Sequence, residues 1–153
     1  METFRALSAI QRTALEVTLN LIIPPSEDGR MPGAAEYDVF AYLCEFAPQA
    51  LPALLDELDE LEDIAQAQHK ASFSSLGEGQ AKAIIDERRA ADPQFMFELA
   101  RQTVSCYYQQ DRVVVGIGMQ ARPPFPQGYE VQIGDLSLLD PVRARGQVYR
   151  DVD

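Results

Sequence analysis

The residues that most resemble a chemical motif lie between Val113 and Ala121. The segment reads Val-Val-Val-Gly-Ile-Gly-Met-Gln-Ala and fits the G-x-G-x-x-G/A pattern of a dinucleotide-binding turn. That turn needs a helix directly after the glycines, because the N-terminus of the helix meets the pyrophosphate. Arg122 is followed by prolines at 123 and 124, which prevent such a helix. We therefore predict a glycine-rich turn here and no FAD or NAD site in this chain.

Two further patterns could indicate a metal or catalytic centre. Six acidic residues lie between positions 56 and 63, but leucines interrupt them and no glycine supplies the turn of a calcium loop. His69 is the only histidine, and Gln66 stands where a di-iron bundle has glutamate. We predict that the acidic residues form the solvated face of a helix and that His69 lies at a helix end. No catalytic residue and no metal ligand is predicted, and we expect the chain not to be an enzyme by itself.

Cysteines and tyrosines give two weaker signals. Cys44 and Cys106 are the only cysteines and form no CxxC motif, so free buried thiols are favoured over a disulfide, which stays an alternative. Tyr107 and Tyr108 lie near the end of a predicted helix, so one ring can belong to the core while the other uses its hydroxyl at the rim. A packed helix end and a ligand contact both stay open for this pair.

The overall composition excludes several classes of partner. The chain has 153 residues and a net charge of -11, from 24 acidic and 13 basic side chains, so it repels nucleic-acid phosphates and anionic membranes. Its length suits one domain and allows a core without metals or disulfides. No apolar run is long enough to cross a membrane, which predicts no direct membrane insertion. The first residues do not resemble a leader, so a cytoplasmic location is expected, with the periplasm as the alternative if a partner exports the chain.

Apolar periodicity predicts an all-α fold, a small bundle of four to five helices. Ser8 and Gln11 form a capping box at the first helix, and Asp92 followed by Pro93 is a favourable start for the last one. Prolines and glycines end the regular pattern near residue 116. The predicted helices cover residues 8–22, 34–46, 49–71, 80–90 and 92–109.

A Pro/Gly-rich extended C-terminal tail is predicted over residues 121–153, after a helical domain over residues 1–120. The tail holds 4 basic and 5 acidic residues, whereas the helical domain holds 9 and 19. Protein interfaces favour aromatic and arginine side chains, and prolines stiffen an extended chain. The tail either wraps its own domain or lies on a second protein, and composition alone leaves both open. Its candidate interface residues are Arg122, Phe125, Tyr129, Leu136, Leu138, Leu139, Arg143, Arg145 and Tyr149.

The order of several motifs resembles one protein family. In chain order the motifs are Leu21-Ile22-Ile23-Pro24-Pro25, Gly33-Ala34, Val39 with Tyr42, a Leu-rich helix, Tyr107-Tyr108, Gly116 with Gly118, and Pro123-Pro124-Phe125-Pro126-Gln127-Gly128-Tyr129. This order is similar to that of the gluconate 2-dehydrogenase subunit 3 family over about residues 8–130. Members often begin with a twin-arginine leader and carry an aromatic residue in the glycine turn. This sequence shows no such leader and has Ile117 in the turn.

The resemblance implies a role beside a flavoprotein. Members of the family are small subunits of heteromeric, FAD-dependent sugar and polyol dehydrogenases. Their large subunit is of the glucose–methanol–choline oxidoreductase type and carries the flavin. The resemblance therefore implies a non-catalytic small subunit that stabilises the large subunit or helps it to mature in a chaperone-like way. The alternative is a free-standing helical adaptor or regulatory protein without a redox role, and a flavin oxidoreductase encoded beside this chain would favour the first of these hypotheses.

Overall fold

The computed structural model describes residues 6–122, 125, 128 and 134–146. The chain divides into two compact units, residues 1–121 and 122–153. Within the described residues every regular element is helical and no strand occurs, which confirms the all-α prediction. These residues form seven α-helices, more than the four to five predicted, because two short helices follow the five longer ones. The α-helices are α1 (Ala9–Ile22), α2 (Val39–Phe46), α3 (Leu51–His69), α4 (Glu78–Ala91), α5 (Pro93–Tyr107), α6 (Asp111–Gly116) and α7 (Asp140–Arg143).

Local sequence signals set the starts of α1 and α5. The Ser8 hydroxyl accepts a hydrogen bond from the backbone N–H of Gln11 at 3.1 Å, and the Gln11 side chain accepts one from the N–H of Ser8 at 3.0 Å. At α5 the Asp92 carboxylate accepts from the N–H of Phe95 at 2.9 Å, and Pro93 occupies the first turn. Both predicted starts are confirmed, because a helix cap depends only on residues within one turn.

The helix expected over residues 34–46 is interrupted. Residues 34–36 form a single 3-10 turn, and α2 begins only at Val39. The Asp38 carboxylate accepts from the backbone N–H of Ala41 at 2.9 Å and so caps α2. The prediction of one continuous helix was wrong because an aspartate that satisfies the first free N–H groups starts a new helix.

The core of the first unit lies between α1, α3, α4 and α5, and α2 packs against α5. Leu54, Leu58 and Leu61 are each 1% exposed, which confirms the apolar stripe predicted for α3. Phe73 enters the core from a 3-10 turn between α3 and α4 and is 0% exposed. Every described residue of this buried apolar cluster lies within residues 7–113, so the first unit supplies its own core.

The acidic row of α3 is not uniformly solvated. Glu57 is only 7% exposed, and the prediction of a fully solvated face was wrong for it. Its carboxylate accepts two hydrogen bonds of 2.9 Å from the guanidinium of Arg88, which lies 31 residues further along the chain. These hydrogen bonds raise the pKa of Arg88, so its guanidinium stays charged. The acidic residues that are exposed as predicted are Asp56, Asp59, Glu60 and Asp63.

Glu62 is the second acidic residue of α3 that is not fully solvated, and it accepts hydrogen bonds from the turn that follows the helix. Its carboxylate accepts hydrogen bonds from the Ser72 hydroxyl at 2.9 Å, the Phe73 N–H at 3.0 Å and the Gln66 side chain at 3.1 Å. Burial raises the pKa of Glu62, but the hydrogen bonds from Gln66, Phe73 and Ser72 outweigh it, so the pKa is lowered overall. The carboxylate thereby holds the turn that carries Phe73 into the core.

Glu62→Gln is expected to lower the free energy of unfolding by about 1–3 kcal/mol at neutral pH, since hydrogen bonds to a charged group are the stronger ones. The folded-state pKa lies below the ordinary value of 4.5. The stabilisation is therefore fully present above 4.5 and is lost as the pH falls through the lowered folded value. Urea unfolding at a series of pH values should show a difference that shrinks on acidification. Asp63→Asn, which alters an exposed carboxylate on the same helix, is the matched control. A stability difference for Glu62→Gln that does not change with pH would show that the ionised carboxylate is not its source.

Candidate partner-binding surface

Motif residues that are distant in the sequence meet at one end of the helical domain. The buried hydroxyl of Tyr107 donates to the carbonyl oxygen of Pro32 at 2.8 Å and joins the end of α5 to the loop after α1. The ring of Tyr37 makes an edge-to-face contact with Tyr107, with 5.9 Å between ring centroids. Tyr108 makes a second such contact with Tyr107, at 5.2 Å. The pair divides as predicted, with Tyr107 in the core and Tyr108 half exposed.

Close packing at this end explains two of the motif glycines. A Cβ atom on Gly33 would lie 2.5 Å from the Asn20 side-chain oxygen and 3.0 Å from the ring of Pro25. A Cβ atom on Gly116 would overlap the sulfur of Met31. The absence of a side chain at these two positions therefore lets the loop between α1 and α2 pack closely against α1 and α6.

Tyr107→Phe is expected to lower the free energy of unfolding by about 1–3 kcal/mol, because the buried carbonyl of Pro32 loses its donor. Tyr37→Phe is the matched control. Its hydroxyl is buried and has no hydrogen-bond partner among the described residues, so its removal should be neutral or stabilising. Denaturant unfolding followed by circular dichroism measures both variants. Equal losses of stability would show that the bond to Pro32 does not hold this end together.

A short helix occupies the position of the strand that a dinucleotide fingerprint requires. Residues 113–115 belong to α6, which Arg112 ties to Glu36 through an ion pair of 2.8 Å. Gly118 has a φ of 83°, a left-handed conformation that suits glycine, and residues 119–122 are not helical. The segment thus lacks the strand–turn–helix geometry that would present a helix N-terminus to a pyrophosphate.

The other candidates for chemistry are the single histidine and the two cysteines. His69 is the exposed last residue of α3, and its Nδ1 atom lies 3.4 Å from the side-chain nitrogen of Gln80. Cys106 is a buried free thiol and Cys44 a half-buried one, and burial raises the pKa of both. Among the described residues, no three His, Cys, Asp or Glu side chains lie close enough together to hold a metal ion. No helix in that part of the chain is both long and apolar enough to cross a membrane.

The described part of the second unit is partly helical. A 3-10 helix over Leu136–Leu139 leads directly into α7, where the sequence predicts an extended tail. Asp135 begins this segment by accepting a hydrogen bond from the backbone N–H of Ser137 at 3.0 Å. An aspartate cap and a proline in the first turn of α7 favour helix locally, which the extended-tail prediction overlooked.

The structure describes most of the predicted interface residues. Arg122 donates to the carbonyl oxygen of Gly128 at 2.7 Å, and Arg143 pairs with Asp140 at 3.0 Å. The remaining described candidates have exposed side chains, and these are Phe125, Leu136, Leu138, Leu139 and Arg145. The predictions for Tyr129 and Tyr149 lie outside the described residues.

Sequence reasoning missed a second apolar face on α5. Phe97, Val104 and Tyr108 are 70%, 42% and 50% exposed, while Leu99 and Cys106 of the same helix belong to the core. Spacings of seven and four place the three exposed side chains along one line of the helix. The sequence does contain a signal for this second face. A surface helix needs only one apolar stripe to face the core, but α5 has apolar residues on two sides.

The first unit is a small helical domain with its own described core, and α5 exposes apolar side chains on the side that faces away from that core. The family model described as gluconate 2-dehydrogenase subunit 3 matches residues 9–117, and the chain belongs to this family. The match spans α1 to α6 and thus includes the motifs that meet at the end of the domain. A search of curated proteins and a search of solved structures each found no match. The family name describes one subunit of a multi-subunit dehydrogenase.

Proposed function

We propose that the chain is a non-catalytic small subunit of a heteromeric, FAD-dependent sugar or polyol dehydrogenase. In this proposal it stabilises the large flavoprotein subunit or helps it to mature. The large subunit is of the glucose–methanol–choline oxidoreductase type and holds both the FAD and the reacting groups. The observation that carries the proposal is the family match over residues 9–117. The exposed apolar residues of α5 support it, because such faces are typical of surfaces that bind other proteins.

Stabilisation of the large subunit follows from linkage. If the small subunit binds only the folded large subunit, it raises the free energy of unfolding of the large subunit. The increase is about 2.7 kcal/mol when the free concentration of the small subunit is 100 times Kd. The same effect favours a folding intermediate that is competent to take up flavin, provided that the small subunit binds it. No residue of the small subunit has to touch the reacting atoms for this role.

The second unit contributes to the contact in this proposal. Residues 121–153 hold 4 basic and 5 acidic residues, so this segment would not repel an acidic partner as strongly as the helical domain does. The exposed side chains of Phe125, Leu136 and Leu138 supply apolar area. Arg143 and Arg145 belong to a residue type that interfaces favour.

Co-expression with a candidate large subunit, a flavoprotein of the glucose–methanol–choline type, tests the proposed function. With an affinity tag on the small chain, the large subunit should copurify with bound flavin and should melt at a higher temperature than when expressed alone. The isolated small chain should show no saturable binding of FAD in calorimetry. A large subunit that folds, binds FAD and resists heat equally well alone, without copurifying, would refute the proposal. Saturable FAD binding by the isolated small chain would refute its non-catalytic part.

A further inference from the structure

We propose that the groove beside α5, together with the outer face of that helix, is a docking site for the large subunit of the dehydrogenase complex. This inference rests on the proposed function and adds a contact surface on the helical domain to the one proposed for the second unit. The docking surface, called the α5 face below, comprises two sets of residues. The groove residues are Leu21, Ile22, Ile85, Met96 and Ala100, and the outer residues are Phe97, Val104 and Tyr108.

The groove has an apolar floor built by three helices. α1 contributes Leu21 and Ile22, α4 contributes Ile85, and α5 contributes Met96 and Ala100. The open volume is about 360 Å³, which is room for several side chains of another protein. Filling this space would remove apolar surface from water and is therefore favourable.

The outer residues extend the apolar floor along α5. Ala100 lies three positions after Phe97 and four before Val104, and Tyr108 follows four positions later. Residues at these spacings are neighbours on a helix surface, so Ala100 joins the groove to Phe97 and Val104, and Arg101 lies beside them in its ion pair with Glu98. An aromatic residue at each end matches the composition of interface cores, in which Phe, Tyr and Met are enriched.

Most of the charges that border the α5 face pair with each other, whereas Glu78, at the rim of the groove, makes no ion pair among the described residues. On α4, Asp86 pairs with Lys82 and, at 2.9 Å, with Arg89. On α5, Glu98 pairs with Arg101 at 2.6 Å. Covering a paired charge leaves no uncompensated ion behind, whereas covering Asp56 and Asp63 of α3, which make no ion pair in the described part of the chain, would. The pairing of Asp86 and Glu98 therefore lowers the cost of covering the α5 face.

The large subunit is the occupant that these observations favour. The net charge of -11 opposes the approach of a second copy and of an anionic membrane, since like charges repel. The family name implies further subunits in the same complex. The apolar side chains also continue along the chain toward the second unit, because Val115, Ile117 and Met119 are exposed between Tyr108 and residue 122.

A paired substitution tests the α5 face in the full-length chain. Phe97→Ser with Val104→Ser should weaken binding to the purified large subunit by at least about thirtyfold, the effect of losing one hot-spot residue. Ile10→Ser is the matched control, since Ile10 is 53% exposed and lies eleven positions before Leu21 on α1. That separation is about 16 Å along the helix, so the control should bind as the unchanged chain does. Circular dichroism establishes that both variants fold.

The possible outcomes separate this inference from the proposed function. If the unchanged chain binds the large subunit and the double variant binds equally well, the α5 face is not the docking site while the proposed function stands. If the unchanged chain does not bind at all, both fail. A homodimer in sedimentation equilibrium that the double variant abolishes would assign the face to a second copy and overturn the inference. Should the double variant not fold, p-benzoylphenylalanine placed at Phe97 must crosslink to the large subunit, and placed at Ile10 must not, or the inference is wrong.

Discussion

A chain that ends after Met119 is expected to fold normally and to bind the large subunit about a thousandfold more weakly than the full-length chain. The expected loss corresponds to two hot-spot residues at about 2 kcal/mol each. The second unit holds exposed apolar side chains at Phe125, Leu136 and Leu138, which are 84%, 62% and 74% exposed. Its prolines restrict the unbound chain, which lowers the entropy lost when the tail docks.

Normal folding of the truncated chain is expected because no described residue of the tail belongs to the core. Every described residue of the buried apolar cluster lies within residues 7–113. A full-length chain with Phe125→Ser and Leu138→Ser is the companion variant, since it keeps the length and removes two anchors. Copurification of the truncated chain at the original yield and affinity would show that the tail does not contact the large subunit. A truncated chain that fails to fold would show instead that the tail belongs to the helical domain.

Features that depend on a few neighbouring residues were predictable from the sequence. The capping box at Ser8 and the cap at Asp92 are formed within one helical turn, and both helix starts agree with the structure. The leucine stripe of α3 was equally visible, because a period of 3.6 residues places its members on one side of any helix. Local chemistry therefore gave the fold class and most of the long helices.

Features that depend on distant residues were not predictable in this way. The sequence predicts that Glu57 is solvated like its acidic neighbours, and only the structure shows that Arg88 of α4 pairs with it. Phe73 stands among polar and glycine residues, and nothing in its neighbourhood indicates that Glu62 directs it into the core. The run of valines before Gly116 suits strand and helix alike, since a short apolar segment does not carry a decisive period. Tertiary contacts decide each of these cases.

The candidate partner-binding surface also combines features that neighbouring residues predict with features that distant residues determine. Order along the chain was enough to recognise the family, but not to see that Tyr107 meets Pro32 or that Met31 covers Gly116. Those contacts join segments 75 or more positions apart. The outer face of α5, in contrast, was predictable from the sequence, because helical periodicity alone places Phe97 and Leu99 on different sides of one helix.

Phe73→Ala is expected to lower the free energy of unfolding by about 3–5 kcal/mol, a large share of the roughly 5–15 kcal/mol typical of a domain. The ring is 0% exposed, and its turn packs against α1 and α3. Removing the ring costs its transfer free energy and leaves a cavity that the surrounding helices can close only in part. Glu62 would still hold the backbone of the turn, so the loss should come from packing. Urea unfolding followed by circular dichroism measures the effect.

Phe97→Ala, the same substitution on the outer face of α5, is the control for this measurement. Because Phe97 is 70% exposed, its replacement should change the free energy of unfolding by no more than about 0.5 kcal/mol. The two variants together separate the core from the docking surface, since one should lose stability and the other only affinity for the large subunit. If Phe97→Ala destabilises the chain as strongly as Phe73→Ala, the outer face of α5 is part of the core and cannot be free to dock a partner. If Phe73→Ala leaves stability unchanged, the turn between α3 and α4 does not belong to the core.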